Sequence, residues 1–165
     1  MTSESGFAAL LDAHGGLLAR IAASYEADPA LRDDLLQDIA MALWRALPNW
    51  RGEASVKTFV ARVAHNRCVT HVVARTRKPH AAELDESVAA TSATPDEHAH
   101  RDQQRSRLQV AVRALPLGLR QAVTLALEGF DHRDIADALG ITVNSVDVRL
   151  HRARAALKSA LGDDA

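Results

Sequence analysis

"DIADALGITVNSVDVRLHRARAAL", residues 134–157, places Ile135, Ala136 and Leu139 on one face of a short helix and then breaks at Gly140. Gly140 suits a tight turn, Ile141 packs beneath it, and Thr142 is a capping residue for a second helix. That second helix carries Val143, Val146, Leu150, Ala153 and Leu157 on one stripe. A short helix, a glycine turn and a longer helix with a basic far half form a helix-turn-helix. The small Ala136 lets the two helices approach closely. Arg149, Arg152 and Arg154 favour DNA binding over a plain helical hairpin. A repressor, a response-regulator output domain and an initiation factor all fit this stretch.

The rest of the chain suits an all-α protein. Aromatic residues are 4% of the 165, so the core must be built from Leu, Val, Ile and Ala. The single cysteine, Cys68, excludes an internal disulfide framework and suits a reducing cytoplasm. No apolar run nears the roughly 18 residues of a membrane span, so membrane insertion is not expected. The N-terminus has no basic flank of a secretory signal. The net charge of −1 hides a segregation. Residues 57–80 hold Lys57, Arg62, Arg67, Arg75, Arg77 and Lys78 with no acid, and residues 148–162 hold Arg149, Arg152, Arg154 and Lys158 with none. Phosphate attraction acts over a Debye length of ~8–10 Å, so local charge matters more than the total.

Phe7, Leu10, Leu11, Leu17, Leu18 and Ile21 follow a helical period, with Gly15 and Gly16 as a break or kink. A second helix is predicted over 29–47, opened by Pro29 and ended by Pro48, with Leu31, Leu35, Ile39, Leu43 and Leu47 on its apolar side. "PNWRGEAS" is a loop, and Ser55 or Thr58 caps a third helix reaching about residue 74. The pattern then collapses over 79–104, an acidic, Ala-rich tether, before helices resume at Arg105. Two helical modules, 1–78 and 105–165, are therefore expected.

The stretch "DLLQDIAMALWRALPNWRGEASVKTFVARVAHNRCVTHVVARTRK" resembles region 2 of the extracytoplasmic-function (ECF) sigma factors of the sigma-70 family. "LPLGLRQAVTLALEGFDHRDIADALGITVNSVDVRLHRARAAL" resembles their region 4. The resemblance implies a sigma factor that binds core RNA polymerase and directs promoter-specific initiation. Region 2 reads and melts the −10 element, and region 4 reads the −35 element. It places Asp34, Leu35, Gln37 and Asp38 on the clamp helices of the largest polymerase subunit, and region 4 on the flap of the second-largest. It places the −10 contacts on Arg51, Gly52, Ser55, Lys57, Thr58, Arg62, Asn66, Arg67, Arg75 and Arg77. Chemically, Asn66 can read a base edge while the cations hold phosphates. Phe59 reads as core, and Trp50 as core or as a stacking surface.

The resemblance also assigns Thr142, Asn144, Ser145, Asp147, Val148, Arg149, His151, Arg152 and Arg154 to the −35 element. Helical projection puts Asn144, Asp147, Val148 and His151 away from the buried stripe, with Arg149 and Arg152 on the flank. Asp147 departs from the basic residue often found there. It either accepts a hydrogen bond from cytosine N4 or serves as a cap or Arg partner without touching a base. A spacer of about 17 base pairs spans roughly 58 Å. The 79–104 tether could reach ~85 Å extended but averages only ~28 Å free, so something must hold it stretched. In the family that is the polymerase.

An anti-sigma factor is a further implied partner, covering the polymerase-binding surfaces and holding the domains together. The expected location is the cytoplasm, at the nucleoid when polymerase-bound. No cofactor is expected. His65, Cys68 and His71 step i, i+3, i+6 without a fourth ligand, so no metal site is assigned. No phosphate-binding glycine loop or nucleophile elbow is present, so the chain is not expected to be an enzyme. The competing readings are a stand-alone helix-turn-helix regulator, and a sigma mimic that sequesters an anti-sigma factor.

Overall fold

The computed structural model describes residues 3–77 and 97–162, all of whose regular structure is helical. Lys78 and residues 79–96 of the expected tether lie outside the described residues.

The first module is α1 (Glu4–Ala23), α2 (Pro29–Ala46) and α3 (Val56–Arg77), with a single 3-10 turn at Leu47–Asn49. Helix α1 is capped by Ser3, whose hydroxyl accepts from the Gly6 amide at 3.2 Å. It runs unbroken through Gly15 and Gly16, contrary to the expected kink. Glycine in a helix interior costs about 1 kcal/mol relative to alanine. Burial of Leu17, Leu18 and Ile21 on the following turn offsets that cost. Asp28 caps α2 by accepting from the Ala30 and Leu31 amides, with Pro29 in the first turn, where its missing N–H leaves nothing unpaired. Ser55 rather than Thr58 opens α3, accepting from the Thr58 amide at 3.1 Å. Leu35, Ile39, Leu43, Val60, Ala64 and Cys68 are sealed in the core between these helices.

The second module is α4 (Glu97–Ala114), α5 (Leu117–Leu127), α6 (His132–Leu139) and α7 (Val143–Leu161). Helix α4 starts at Glu97, so residues 97–104, expected to be tether, are helical. Their polar sequence hid this, because a helix with so little apolar surface leaves no stripe to recognise. Between α6 and α7, Gly140 takes φ +65°, a conformation that any Cβ strains, and the Ile141 amide closes the turn on the Ala136 carbonyl at 3.1 Å. Thr142 caps α7 by accepting from the Ser145 amide at 3.1 Å. Val146, Leu150, Ala153 and Leu157 are buried as the periodicity requires, whereas Val143 stays exposed.

Two buried polar groups tie α3 to the end of α1. The Tyr25 hydroxyl and His65 Nδ1 share a 2.7 Å hydrogen bond. Burial pushes the His65 imidazole down to about 3. Glu26 accepts from the Asp28 amide at 2.9 Å, from His71 Nε2 at 2.7 Å and from Arg75. Burial raises the Glu26 carboxyl, but the His71, Asp28 and Arg75 interactions outweigh it and leave the group below its ordinary value.

Both effects act in one direction. The unfolded chain takes up protons at His65 below its ordinary value of 6.5 while the folded chain does not. Stability contributed by neutral His65 is therefore lost as pH falls from 6.5 toward 3, and that of Glu26 is lost below its unfolded value of 4.5. One proton gives a slope of at most about 1.4 kcal/mol per pH unit. Denaturant melts between pH 7 and 5 should show a falling stability, and His65→Gln should flatten that fall. Equal slopes in the two proteins would contradict the assignment to His65.

Candidate nucleic-acid and polymerase interface

The acidic face of α2 presents Asp34, Gln37 and Asp38 to solvent. Leu35, expected among the polymerase contacts, is 1% exposed and packs with Ile39 and Leu43, so it supports this face from beneath. One and two turns further along lie Met41, 52% exposed, and Trp44, 43% exposed. Trp44 meets the edge of Phe7 from α1, with ring centroids 5.0 Å apart. Together with Leu11 these side chains line an apolar groove of about 480 Å³ beside the carboxylates. Sequence reasoning missed Met41 and Trp44. Met41 at i+4 from Gln37 and i+3 from Asp38, and Trp44 three residues after Met41, were the available signal.

The loop before α3 exposes Arg51, Gly52 and Ser55. Gly52 has φ +77° with nothing within 4 Å of where a Cβ would sit, so the backbone conformation, not close approach, calls for glycine. Thr58 is 2% exposed and receives a hydrogen bond from the Ser55 hydroxyl at 3.0 Å, which removes it from any DNA contact. Trp50 stacks obliquely on the buried Phe59 at 5.7 Å, so both brace the loop. Along α3, Arg62, Asn66 and Arg77 follow helical steps on one side, with Asn66 and Arg77 exposed and Arg67 half-buried beside them. Arg75 is bonded to Glu26.

The two modules are docked. Lys57 Nζ donates to the Glu128 carbonyl at 3.1 Å and sits 4.5 Å from the centre of the Phe130 ring. Arg62 donates to the Asp137 carbonyl at 3.0 Å, and Arg113 to the Ala23 carbonyl at 3.0 Å. Ala23 ends α1, Glu128 caps the end of α5, and Asp137 lies in the last turn of α6. Each cation thus sits at the C-terminal end of a helix, where unpaired carbonyls and the helix dipole both favour positive charge. Arg20 adds a 2.9 Å ion pair to Glu128. Two of the cations assigned to the −10 strand, Lys57 and Arg62, are held by the second module here.

On α7, Thr142, Asn144, Asp147, Val148, His151, Arg152 and Arg154 are exposed and Ser145 is half-buried. Arg149 turns back instead, with its guanidinium against Gly118 and a long 3.4 Å hydrogen bond to the Gly118 carbonyl. Asp147 pairs with His132, the first residue of α6, at 2.5 Å between Oδ1 and Nδ1. The His65, Cys68 and His71 trio disperses. His65 is bonded to Tyr25, His71 to Glu26, and Cys68 is sealed in the core with its thiol pushed up to about 12. Among the described residues no three His, Cys, Asp or Glu side chains are placed to hold a metal ion.

The Sigma-70 region 2 family matches residues 10–78, and the Sigma-70, region 4 family matches residues 105–157. RNA polymerase sigma-H factor of Pseudomonas aeruginosa is 32% identical over 142 residues, covering 78% of this chain and 72% of that protein. The chain belongs to the sigma-70 family as an ECF sigma factor. ECF RNA polymerase sigma-E factor of Escherichia coli is 29% identical over 134 residues, covering 75% of this sigma factor and 70% of that protein. The solved structure of CnrH in complex with the cytosolic domain of CnrY superposes with a TM-score of 0.71 at 25% identity, covering 99% of this chain and 92% of CnrH. RpoE of Bartonella quintana, solved with the anti-sigma factor NepR, shares the fold at a TM-score of 0.70 and 20% identity, covering 94% of this sigma factor and 96% of that chain. The expected all-helical fold, with region 2 preceding region 4, is borne out. No helix among the described residues is long and apolar enough to cross a membrane.

Proposed function

We propose that this ECF sigma factor works as a non-catalytic initiation factor in the cytoplasm, with the following division of labour. The α2 face of Asp34, Gln37 and Asp38, extended by Met41 and Trp44, engages the clamp helices of polymerase. Carboxylates around an exposed aromatic and a methionine give orientation and an apolar anchor together. The α3 face of Arg62, Asn66, Arg67 and Arg77, with Lys57 and the 50–55 loop, holds the melted −10 strand. The α7 face reads the −35 duplex while region 4 rests on the polymerase flap.

The docking of Lys57 and Arg62 carries this reading furthest. Lys57 and Arg62 cannot hold the phosphates of a −10 strand while they are bonded to the carbonyls of the second module. The modules must part before both elements are engaged, and polymerase, binding each module at a separate place, supplies the energy. An anti-sigma factor would act in the opposite sense by covering the α2 face and keeping the modules together. A stand-alone DNA regulator has no need of a first module whose strand-holding cations are occupied by the second. Run-off transcription from genomic fragments tests the proposal, with core polymerase and the sigma factor added together or separately.

A further inference from the structure

The His132–Asp147 pair stands on the reading side of region 4, with both side chains about half exposed. An exposed Asp on a helix ordinarily samples several rotamers, and its charge repels a phosphate. Here His132 Nδ1 lies 2.5 Å from Oδ1 and holds that oxygen in place, while Oδ2 has no partner among the described residues. Guanine is read by paired donors of Arg or Lys. Arg149, the cation nearest to Asp147 along α7, is turned toward Gly118. Before Arg152, the exposed residues of α7 are then Val143, Asn144, Asp147, Val148 and His151, and Asp147 is the charged group among them that cannot donate.

We propose that Asp147 is a specificity-determining residue that selects, at one position of the −35 element, a base presenting an exocyclic amino group in the major groove, and that His132 is its positioning residue. The amino group is N4 of cytosine or N6 of adenine. A carboxylate accepts from either, and meets only acceptors at guanine and at thymine. His132 acts across the helix-turn-helix. It belongs to the first helix, yet it sets which way the acceptor on the second helix points. The inference rests on region 4 reading the −35 element.

The test uses holoenzyme assembled from core polymerase and the full chain on a promoter library randomised through the −35 element, with transcripts sequenced. The native chain should enrich cytosine or adenine at one position by about tenfold, and Asp147→Ala should abolish that enrichment while other positions keep theirs. His132→Ala should weaken it at the same position. His132→Asn should restore it, because the amide nitrogen stands where Nδ1 stood. A pair that merely pins α6 to α7 would lower the melting temperature in both alanine variants and leave the base profile unchanged. Promoter-dependent transcripts with an unchanged profile overturn this inference alone. Absence of promoter-dependent transcripts even with the native chain overturns the underlying reading and this inference with it.

Discussion

Replacing Asp34 and Asp38 together by Lys is expected to weaken binding to core polymerase on the order of a hundredfold while leaving the fold intact. Both side chains are exposed on α2, and neither side chain has a hydrogen bond or ion pair among the described residues. Their reversal therefore disturbs nothing inside. At an interface, two such reversals each cost about 1.4 kcal/mol or more, through lost attraction and new repulsion, and each 1.4 kcal/mol is tenfold. Leu35→Ala reads out differently. Leu35 is sealed in the core, so its truncation should cost about 2–5 kcal/mol of folding stability and reduce polymerase binding only through unfolding. Fluorescence anisotropy of labelled chain against core polymerase, beside a denaturant melt, separates the two. Unchanged affinity in the folded double variant would remove α2 from the interface.

The second large effect is expected at the docked modules. Glu128→Arg should part them and raise the affinity of the free chain for single-stranded −10 DNA about tenfold. Glu128 is the residue on which α1 and α3 converge: its carboxylate pairs with Arg20, and its carbonyl receives Lys57. An exposed pair by itself contributes at most about 1 kcal/mol, but reversal also sets an arginine against Arg20 and beside Lys57. Together these reach the 1.4 kcal/mol of a tenfold change. Lys57 and Arg62 are then released for phosphates. Arg20→Glu with Glu128→Arg swaps the charges and should restore the docked form. Resonance energy transfer between dyes on the two modules follows the opening directly. An unchanged distance and an unchanged DNA affinity in Glu128→Arg would contradict the docking.

The caps were the most legible part of the fold. Pro29 in the first turn of α2 and Gly140 with Thr142 before α7 each pair a residue type with a local backbone need, and Ser55 was one of two candidate caps for α3. These helix starts and the reading turn therefore followed from residue order. Gly15 and Gly16 misled because local propensity was set against burial of Leu17, Leu18 and Ile21, which periodicity could not weigh. Within the site, periodicity located the buried stripes but not their edges. Leu35 and Thr58 fell on the buried side, and Met41 and Trp44 on the open one.

The cross-module bonds were illegible for a different reason. Lys57, Arg62 and Arg113 bind backbone carbonyls, whose positions depend on where helices end in space and not on residue type. Asp147 gained a partner, His132, from the neighbouring helix, which neither a local cap nor an arginine on its own helix foreshadowed.

The central claim is that one chain gives polymerase its promoter choice through two separated modules. Sequencing of transcript 5′ ends from genomic DNA incubated with core polymerase, with and without this sigma factor, measures it most directly. The expected result is a discrete set of new start sites, each preceded by shared −10 and −35 elements and present only when both components are added. Start sites that are the same with and without the sigma factor would contradict the claim.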